Sequence, residues 1–204
     1  MTSATLLGDP TWVKARIGGA AKLYGCARPE VLGTIWWYSL SSVLVAPSLE
    51  SLVNTGTPQD PSLDAITLDV VADGRFTGAH SSRDLPGGLG ELGKAFAGTL
   101  GTAIDTIASV SGANPRALGA IATDSIGNRL LWTNDPERAM TLAEPLVAAI
   151  DLGLPKPRFV HVGRTPAVRR ASCCLIYEAG NPKCTSCPRQ TPAERDRRLR
   201  AALG

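Results

Sequence analysis

Residues 29–47, PEVLGTIWWYSLSSVLVAP, decide the fold class of this chain. Apolar residues recur here at spacings of three and four, the period of an α-helix with a broad buried face. Pro29 suits the first turn of a helix, and Pro47 ends or kinks it. The apolar run of about 17 residues is shorter than a membrane span and is interrupted by serines, so it predicts a helix buried in a protein core. The apolar positions are Val31, Leu32, Ile35, Trp36, Leu40, Val43 and Leu44.

The sequence around this helix predicts four more helices and one hairpin. Helical spacing extends over residues 12–23 and 89–110, and two further helices begin at the capping pairs Asn114-Pro115 and Asp135-Pro136. The second of these helices is expected to end at Gly153. A short helix could also follow Pro47. Between residues 63 and 80 the period changes to two on either side of an Ala-Asp-Gly turn, which predicts a β-hairpin.

Composition predicts a globular, cytoplasmic protein. Of the 204 residues, 44% are hydrophobic and 19% are charged, which suffices for a real core without disulfide staples. The N-terminus lacks the basic start and apolar stretch of a signal peptide, and we expect no membrane span, with peripheral association left open. Because cytoplasmic thiols are kept reduced, clustered cysteines there more often bind metal than form disulfides.

Charge divides the chain into two parts. Residues 158–204 contain ten Lys/Arg and three Asp/Glu, whereas residues 1–157 contain eleven and fifteen. We therefore predict an α+β fold with a mainly α-helical body over 1–157, including the β-hairpin near 63–80, and a small cysteine-rich module with a basic tail over 158–204. A capping box of Thr191 and Glu194 is expected to open the helix of that tail.

Four of the five cysteines lie in CCLIYEAGNPKCTSCP, residues 173–188: Cys173, Cys174, Cys184 and Cys187. Four thiolates suit structural zinc and iron–sulfur clusters almost equally. Zinc sites usually pair two C-x-x-C turns, because adjacent cysteines point away from each other and do not easily chelate one small ion. A two-iron cluster spreads its ligand positions more widely, so the vicinal pair favours a cluster and leaves zinc as the alternative.

The cysteine segment carries a family resemblance. RRASCCLIYEAGNPKCTSCP, residues 169–188, resembles the C-terminal iron–sulfur signature of the FhuF-like ferric siderophore reductases, with a vicinal cysteine pair, a nearby aromatic residue and a final C-x-x-C-P. Residues 32–53 and 61–74 are similar to the N-terminal region of that family, so the resemblance covers most of the chain. Nine residues separate Cys174 from Cys184, one fewer than the family pattern.

The resemblance implies a [2Fe–2S] cluster held by Cys173, Cys174, Cys184 and Cys187. It also implies one-electron reduction of siderophore-bound Fe(III) to Fe(II), with release of the iron. The implied partners are a ferric siderophore and an electron donor such as a ferredoxin or a flavin/NAD(P)H reductase. The alternative is a regulatory or binding protein that uses a cluster or zinc to sense redox state or iron.

Residues outside the cysteines are assigned smaller roles. Arg169, Arg170 and Arg189 could stabilise a reduced, more anionic cluster or attract an anionic partner. The aromatic residues Trp36, Trp37 and Tyr38 are either core or the lining of a substrate site. Nothing beyond the cluster is expected to be catalytic, and no nucleic-acid partner is predicted, because the basic tail lacks aromatic residues and a DNA-reading helix pair.

Overall fold

The computed structural model describes all residues from 1 to 204. The chain is 58% helical and has two small antiparallel sheets, with the cysteines clustered in the C-terminal region, which confirms the predicted α+β class. The helices are α1 (Pro10–Tyr24), α2 (Pro29–Leu44), α3 (Ala46–Thr55), α4 (Gly88–Ser111), α5 (Pro115–Leu131), α6 (Pro136–Ile150) and α7 (Pro192–Leu203). The strands are β1 (Thr2–Ser3), β2 (Ile66–Val70), β3 (Phe76–Ser81), β4 (Phe159–Val162) and β5 (Thr165–Val168), and 3-10 turns span Ala4–Gly8 and Ile176–Ala179.

Helix α2 is the centre of the body. Eleven of its sixteen residues are buried, and it contacts α1, α3, α4 and α5, as expected of a core helix. The indole Nε1 of Trp37 donates a hydrogen bond to the carbonyl oxygen of Leu118 at 2.8 Å, which ties α2 to α5. The hydroxyls of Ser41 and Ser125 make a second buried link between the same helices, at 2.7 Å.

Helix boundaries follow the capping residues closely. The Asn114 carboxamide accepts from the backbone N–H groups of Arg116 and Ala117, and the Asp135 carboxylate caps α6 in the same way. Pro47 lies in the first turn of α3, a separate helix that starts after a single residue, so the body contains six helices. Helix α6 ends at Ile150 with Asp151 in the left-handed conformation, so its predicted end at Gly153 was too late.

The predicted hairpin is present and belongs to a larger sheet. Strands β2 and β3 pair antiparallel across the Ala-Asp-Gly turn, and Ile66 and Leu68 face the core. The N-terminal strand β1 pairs with β2 on its other edge. This strand was not predicted, because two residues are too few to show a period.

The C-terminal region forms a second hairpin and then the cysteine segment. Strands β4 and β5 pair antiparallel, and β5 packs on α5 at Gly127, where an added Cβ would come within 3.0 Å of Val168 Cγ2. Thr191 caps α7, since its side chain accepts the N–H of Glu194. The Glu194 carboxylate forms ion pairs with Arg197 and Arg198 and does not complete the predicted capping box.

Two remaining expectations concern membrane spans and the division of the chain into two parts. No helix combines the length and the apolar character needed to cross a membrane. The division into a body over 1–157 and a module over 158–204 stays a prediction.

Candidate metal centre

The vicinal cysteines lie between β5 and the second 3-10 turn. Cys173 and Cys174 are both buried. Leu175, directly after them, has a φ of 62°, a left-handed conformation that is uncommon for a residue with a side chain. This conformation turns the chain so that the Leu175 N–H points at Cys173 Sγ, 3.5 Å away. Backbone strain of this kind is held in place by the surrounding structure and concentrates at functional sites.

The C-x-x-C turn is closed by its own backbone and by one glutamine. The N–H of Cys187 donates to the carbonyl oxygen of Cys184 at 3.1 Å. The Gln190 side chain is buried, and its Nε2 donates to the same carbonyl at 2.6 Å. These bonds fix Cys184 and Cys187 on one side of a tight turn.

The four thiols lie close together, with contacts between the two cysteine segments. Sγ atoms of Cys173 and Cys187 are 3.6 Å apart. Arg170 Nη1 lies 3.2 Å from Cys184 Sγ and 3.9 Å from Cys174 Sγ, so these two thiols share one guanidinium nitrogen. Cys173 thus approaches Cys187 and Cys174 approaches Cys184, and the two adjacent thiols also contact each other.

Arg170 is a buried cation inside the site. Only 5% of the residue is exposed, and its guanidinium lies 4.6 Å from the centre of the Tyr38 ring. Its Nε is 3.5 Å from Asp124 Oδ2, at ion-pair distance, while Nε and Nη2 have no hydrogen-bond partner in the protein. Burial on its own lowers the pKa of Arg170, but attraction to Tyr38, Cys174 and Cys184 outweighs it and raises the pKa, so this residue stays charged.

Asp124 on α5 connects the cysteine segment to the body. Its carboxylate accepts the N–H of Ala171 at 2.8 Å and the N–H of Ser172 at 3.3 Å, immediately before the vicinal cysteines. Burial raises the pKa of Asp124 to about 6, against the lowering effect of these bonds and of Arg170. Sequence reasoning missed this residue. The available signal was that Asp124 is the one charged residue in the run 118–127 of a buried helix.

Negative charge at the site is favoured on Cys174. Hydrogen bonds from the thiols of Cys173 and Cys184 lower the pKa of Cys174 well below the usual thiol range. The same contacts with Cys174, together with burial, raise the pKa of Cys173 and of Cys184.

The other residues singled out from the sequence lie at different depths. Arg169 and Arg189 are exposed, in contrast to Arg170. Trp36 packs edge-to-face with Trp12 and Phe76, and it is buried like Trp37. Tyr38 is half-buried, and of the three aromatic residues it is the one beside the cysteines.

The residues fit a compact anionic metal–sulfur group. Four soft thiol donors come from two rigid turns, and three of them are buried. The buried Arg170 guanidinium directs Nη1 at two of these thiols, and its positive charge favours a negatively charged group there. Iron–sulfur clusters are held by cysteine thiolates and are stabilised by donors near the sulfurs.

Comparison with known proteins identifies the class of this site. Residues 170–189 match the family model described as FhuF 2Fe-2S C-terminal domain, and the match contains all four clustered cysteines. The C-terminal segment is thus an iron–sulfur domain, and its cofactor is a [2Fe–2S] cluster. The match is to a FhuF-type domain, and it supports a relationship of this segment to iron–sulfur proteins like the ferric siderophore reductases.

The match is confined to this segment of the chain. No curated protein and no solved structure matches the chain. The similarity of residues 32–53 and 61–74 to the N-terminal region of the family therefore stays a prediction.

Proposed function

We propose that this chain is a cytoplasmic ferric-siderophore reductase that transfers one electron to siderophore-bound Fe(III). The observation that carries the proposal is that Cys174 and Cys184, within the matched iron–sulfur domain, line an open cavity of about 630 Å³. Small-molecule sites in proteins are usually clefts of roughly 300–1,000 Å³. A substrate in this cavity would lie directly against two of the four thiols.

All four clustered cysteines serve as ligands in this proposal. Cys173, Cys174, Cys184 and Cys187 would hold the cluster, and Cys173 and Cys187 lie close enough to bind the same iron. Two thiolates that share a tetrahedral ion at about 2.3 Å are separated by about 3.8 Å. The 3.6 Å between the Sγ atoms of Cys173 and Cys187 supports this arrangement.

The reaction needs an electron and no acid, base or nucleophile. When bound, a [2Fe–2S] cluster supplies one electron at a time. Siderophore oxygens are hard donors that hold Fe(III) much more tightly than Fe(II), so gain of one electron weakens the chelate and releases the iron. The electron comes in turn from a ferredoxin or from a flavin/NAD(P)H reductase.

The chain's own residues set the environment of this transfer. Arg170 places a fixed positive charge beside Cys174 and Cys184, where it favours additional negative charge. Tyr38 covers the guanidinium with its ring and also lines the cavity. Arg169 and Arg189 are exposed and would act at longer range, on the approach of an anionic partner.

The test compares two cysteine substitutions under anaerobic conditions. Cys187→Ser should lose both the visible absorption of the cluster and the reduction of ferric siderophore. The matched control is Cys26→Ser, since Cys26 lies outside the matched segment and packs against the main core. A Cys187→Ser protein that keeps full turnover, or a colourless wild-type protein with zinc bound, would contradict the proposal.

A further inference from the structure

Of the four clustered cysteines, Cys184 is the one nearest to solvent. Cys173, Cys174 and Cys187 are at most 7% exposed, whereas Cys184 is partly exposed. The next residue, Thr185, belongs to the loop of the C-x-x-C turn and is exposed. Electron transfer between two proteins requires a close approach of their redox groups, and this turn offers the shortest path from the surface to the thiols.

An apolar hollow of about 510 Å³ lies beside the same turn, between α5, β5 and α7. Thr185 and Ser186 form part of its wall, so the C-x-x-C loop borders it directly. Trp132 and Leu203 also line it, at 65% and 39% exposure, and they are two of the six large apolar side chains that the protein exposes. Exposed apolar side chains gathered beside a functional centre are typical of an interaction site.

The C-terminal region carries positive charge that no carboxylate neutralises. Its three acidic residues, Glu178, Glu194 and Asp196, are all engaged in ion pairs with arginines. Of the ten Lys/Arg residues in 158–204, six have no carboxylate within 4.0 Å. Five of the six are exposed and the last is half-buried: Arg158, Arg164, Arg169, Lys183, Arg189 and Arg195.

Two of these free cations flank the hollow and the turn. Arg164 directly precedes Thr165, which lines the hollow. Arg189 directly precedes Gln190, whose side chain is bonded to the C-x-x-C turn. Neither guanidinium is paired with a carboxylate or stacked on an aromatic ring. An apolar centre with a charged rim is the usual composition of a protein–protein interface.

We propose that the electron donor is an acidic redox protein of the ferredoxin type, which docks on the apolar hollow and pairs its carboxylates with Arg164 and Arg189. This inference rests on the proposed function and adds to it the charge of the donor and its docking surface. The reduced donor gives one electron through the C-x-x-C turn and is itself oxidised, and no proton or group is transferred. Transient redox complexes bury less than about 1,200 Å², so a single hollow with a charged rim is sufficient.

The first test measures binding without electron transfer. A strongly acidic [2Fe–2S] ferredoxin in its oxidised form is titrated calorimetrically into the oxidised, cluster-loaded protein. Binding should weaken steeply as salt is raised, because exposed charges are screened. Arg164→Glu and Arg189→Glu should each raise the dissociation constant at low salt by roughly three- to tenfold.

Two further variants separate apolar contact from general charge. Leu203→Ser should weaken binding at low and at high salt alike, since it removes apolar surface and no charge. Lys14→Glu is the matched control for the arginines, because Lys14 is an exposed cation on α1 that does not line the hollow. Arginine variants that bind no more weakly than Lys14→Glu, or binding that is independent of salt, would overturn the inference.

A second test measures the rate of electron entry in a stopped-flow instrument. The reduced ferredoxin should reduce the cluster of Arg164→Glu and Arg189→Glu with second-order rate constants about three- to tenfold lower than wild type. Photoreduced 5-deazariboflavin, a small uncharged donor that needs no docking surface, should reduce both variants as fast as wild type. Equal slowing with both donors would show that the substitutions disturb the cluster itself, and would overturn the docking surface.

A second copy of this chain is the other possible occupant of the hollow. Analytical ultracentrifugation of wild type and Leu203→Ser decides between the two. If wild type is a dimer that Leu203→Ser converts to a monomer, while ferredoxin binding is unchanged, the hollow serves self-association and the inference is wrong.

Failure of the proposed function would look different. If ferredoxin binds and reduces the cluster as described, but the reduced protein passes no electron to a ferric siderophore, the docking surface stands and the reductase does not. If ferric siderophores are reduced while the arginine variants bind ferredoxin like wild type, the reductase stands and the docking surface is wrong.

Discussion

The carboxylate of Asp124 and the guanidinium of Arg170 are buried 3.5 Å apart, between helix α5 and the cysteine segment. The pair joins the helical body to the metal centre. Asp124 receives the backbone N–H groups that precede Cys173, while Arg170 reaches Cys174 and Cys184. One residue thus sets the position of the segment, and the other sets its charge.

Removal of the Asp124 carboxylate should loosen the cluster. Asp124→Ala leaves the N–H groups of Ala171 and Ser172 without an acceptor and leaves Arg170 without its carboxylate partner. We expect a loss of stability of about 2–5 kcal/mol and less iron and acid-labile sulfide per chain. Asp124→Asn, which keeps an acceptor of the same shape, should retain most of the cluster. Equal loading of both variants with wild type would contradict a positioning role.

Replacement of Arg170 should lower the reduction potential. Arg170→Gln removes a buried positive charge beside two thiols, so the more anionic reduced state becomes less stable. Loss of a charged hydrogen bond is worth about 1.5–3 kcal/mol, which corresponds to a shift of about 60–130 mV for one electron. The measurement is a spectroscopic redox titration.

Three further variants serve as controls for this shift. Arg170→Lys should lower the reduction potential by less than Arg170→Gln does, because the positive charge is kept. Arg169→Gln and Arg189→Gln should change the potential by much less, since both side chains are exposed and screened. Equal shifts from all three arginines would show that general surface charge tunes the site.

A pair of glycines on α4 tests the packing of the body. A Cβ on Gly93 would lie 2.5 Å from the backbone carbonyl carbon and oxygen of Ala149 in α6, so Gly93→Ala should cost about 1–3 kcal/mol of stability. Gly98 on the same helix has no atom within 4 Å of such a Cβ. Gly98→Ala should therefore stabilise the protein by up to about 1 kcal/mol. Chemical denaturation of both variants measures the difference, and a matched loss in both would argue against close contact of α4 and α6.

The ion pair between Asp60 and Arg83 predicts that part of the protein's stability is lost at low pH. Asp60 is buried; its Oδ1 accepts the Ser62 N–H at 2.8 Å, and its Oδ2 accepts Arg83 Nε at 2.7 Å. Burial alone raises the pKa of Asp60, but these bonds outweigh it and lower the pKa below its usual value. The stability that Asp60 contributes is therefore fully present above its unfolded pKa of about 4 and is lost as pH falls through the lower folded value.

Substitution of Asp60 tests the predicted loss of stability at low pH. Asp60→Asn should lower the free energy of unfolding at pH 7 by about 1–3 kcal/mol and should flatten its decline below pH 4. The exposed Asp105 is the control, and Asp105→Asn should change little at either pH. Urea midpoints at pH 7 and pH 3 give the comparison, and an equal loss from Asp60→Asn at both values would contradict the assignment.

The sequence predicted the helices well where local chemistry determines them. The apolar period of α2 and the caps Asn114 and Asp135 act within a few residues, so their effect is visible in the sequence. Strand β1 depends on a partner more than sixty residues away and leaves no local pattern. The cysteine spacing is likewise local and favoured a cluster over zinc, and the family resemblance implied its type. The role of Asp124 depends instead on a contact across 47 positions.

The spacing of residues in the sequence could not predict which side chains of the site are buried. Three arginines near the cysteines were equivalent in the sequence, and only Arg170 is directed inward, because Ala171 and Ser172 are bonded to α5. Among the three neighbouring aromatic residues, the rotation of α2 buries Trp37 and leaves Tyr38 beside the thiols.

The most direct test of the account is a single-turnover reaction. Protein reduced stoichiometrically under anaerobic conditions is mixed with a ferric siderophore and an Fe(II)-specific chelator, and the cluster absorption is followed together with the coloured Fe(II) complex. The account predicts that the cluster reoxidises as Fe(II) appears, with one Fe(II) formed per cluster. A cluster that stays reduced in the presence of excess ferric siderophore would contradict it.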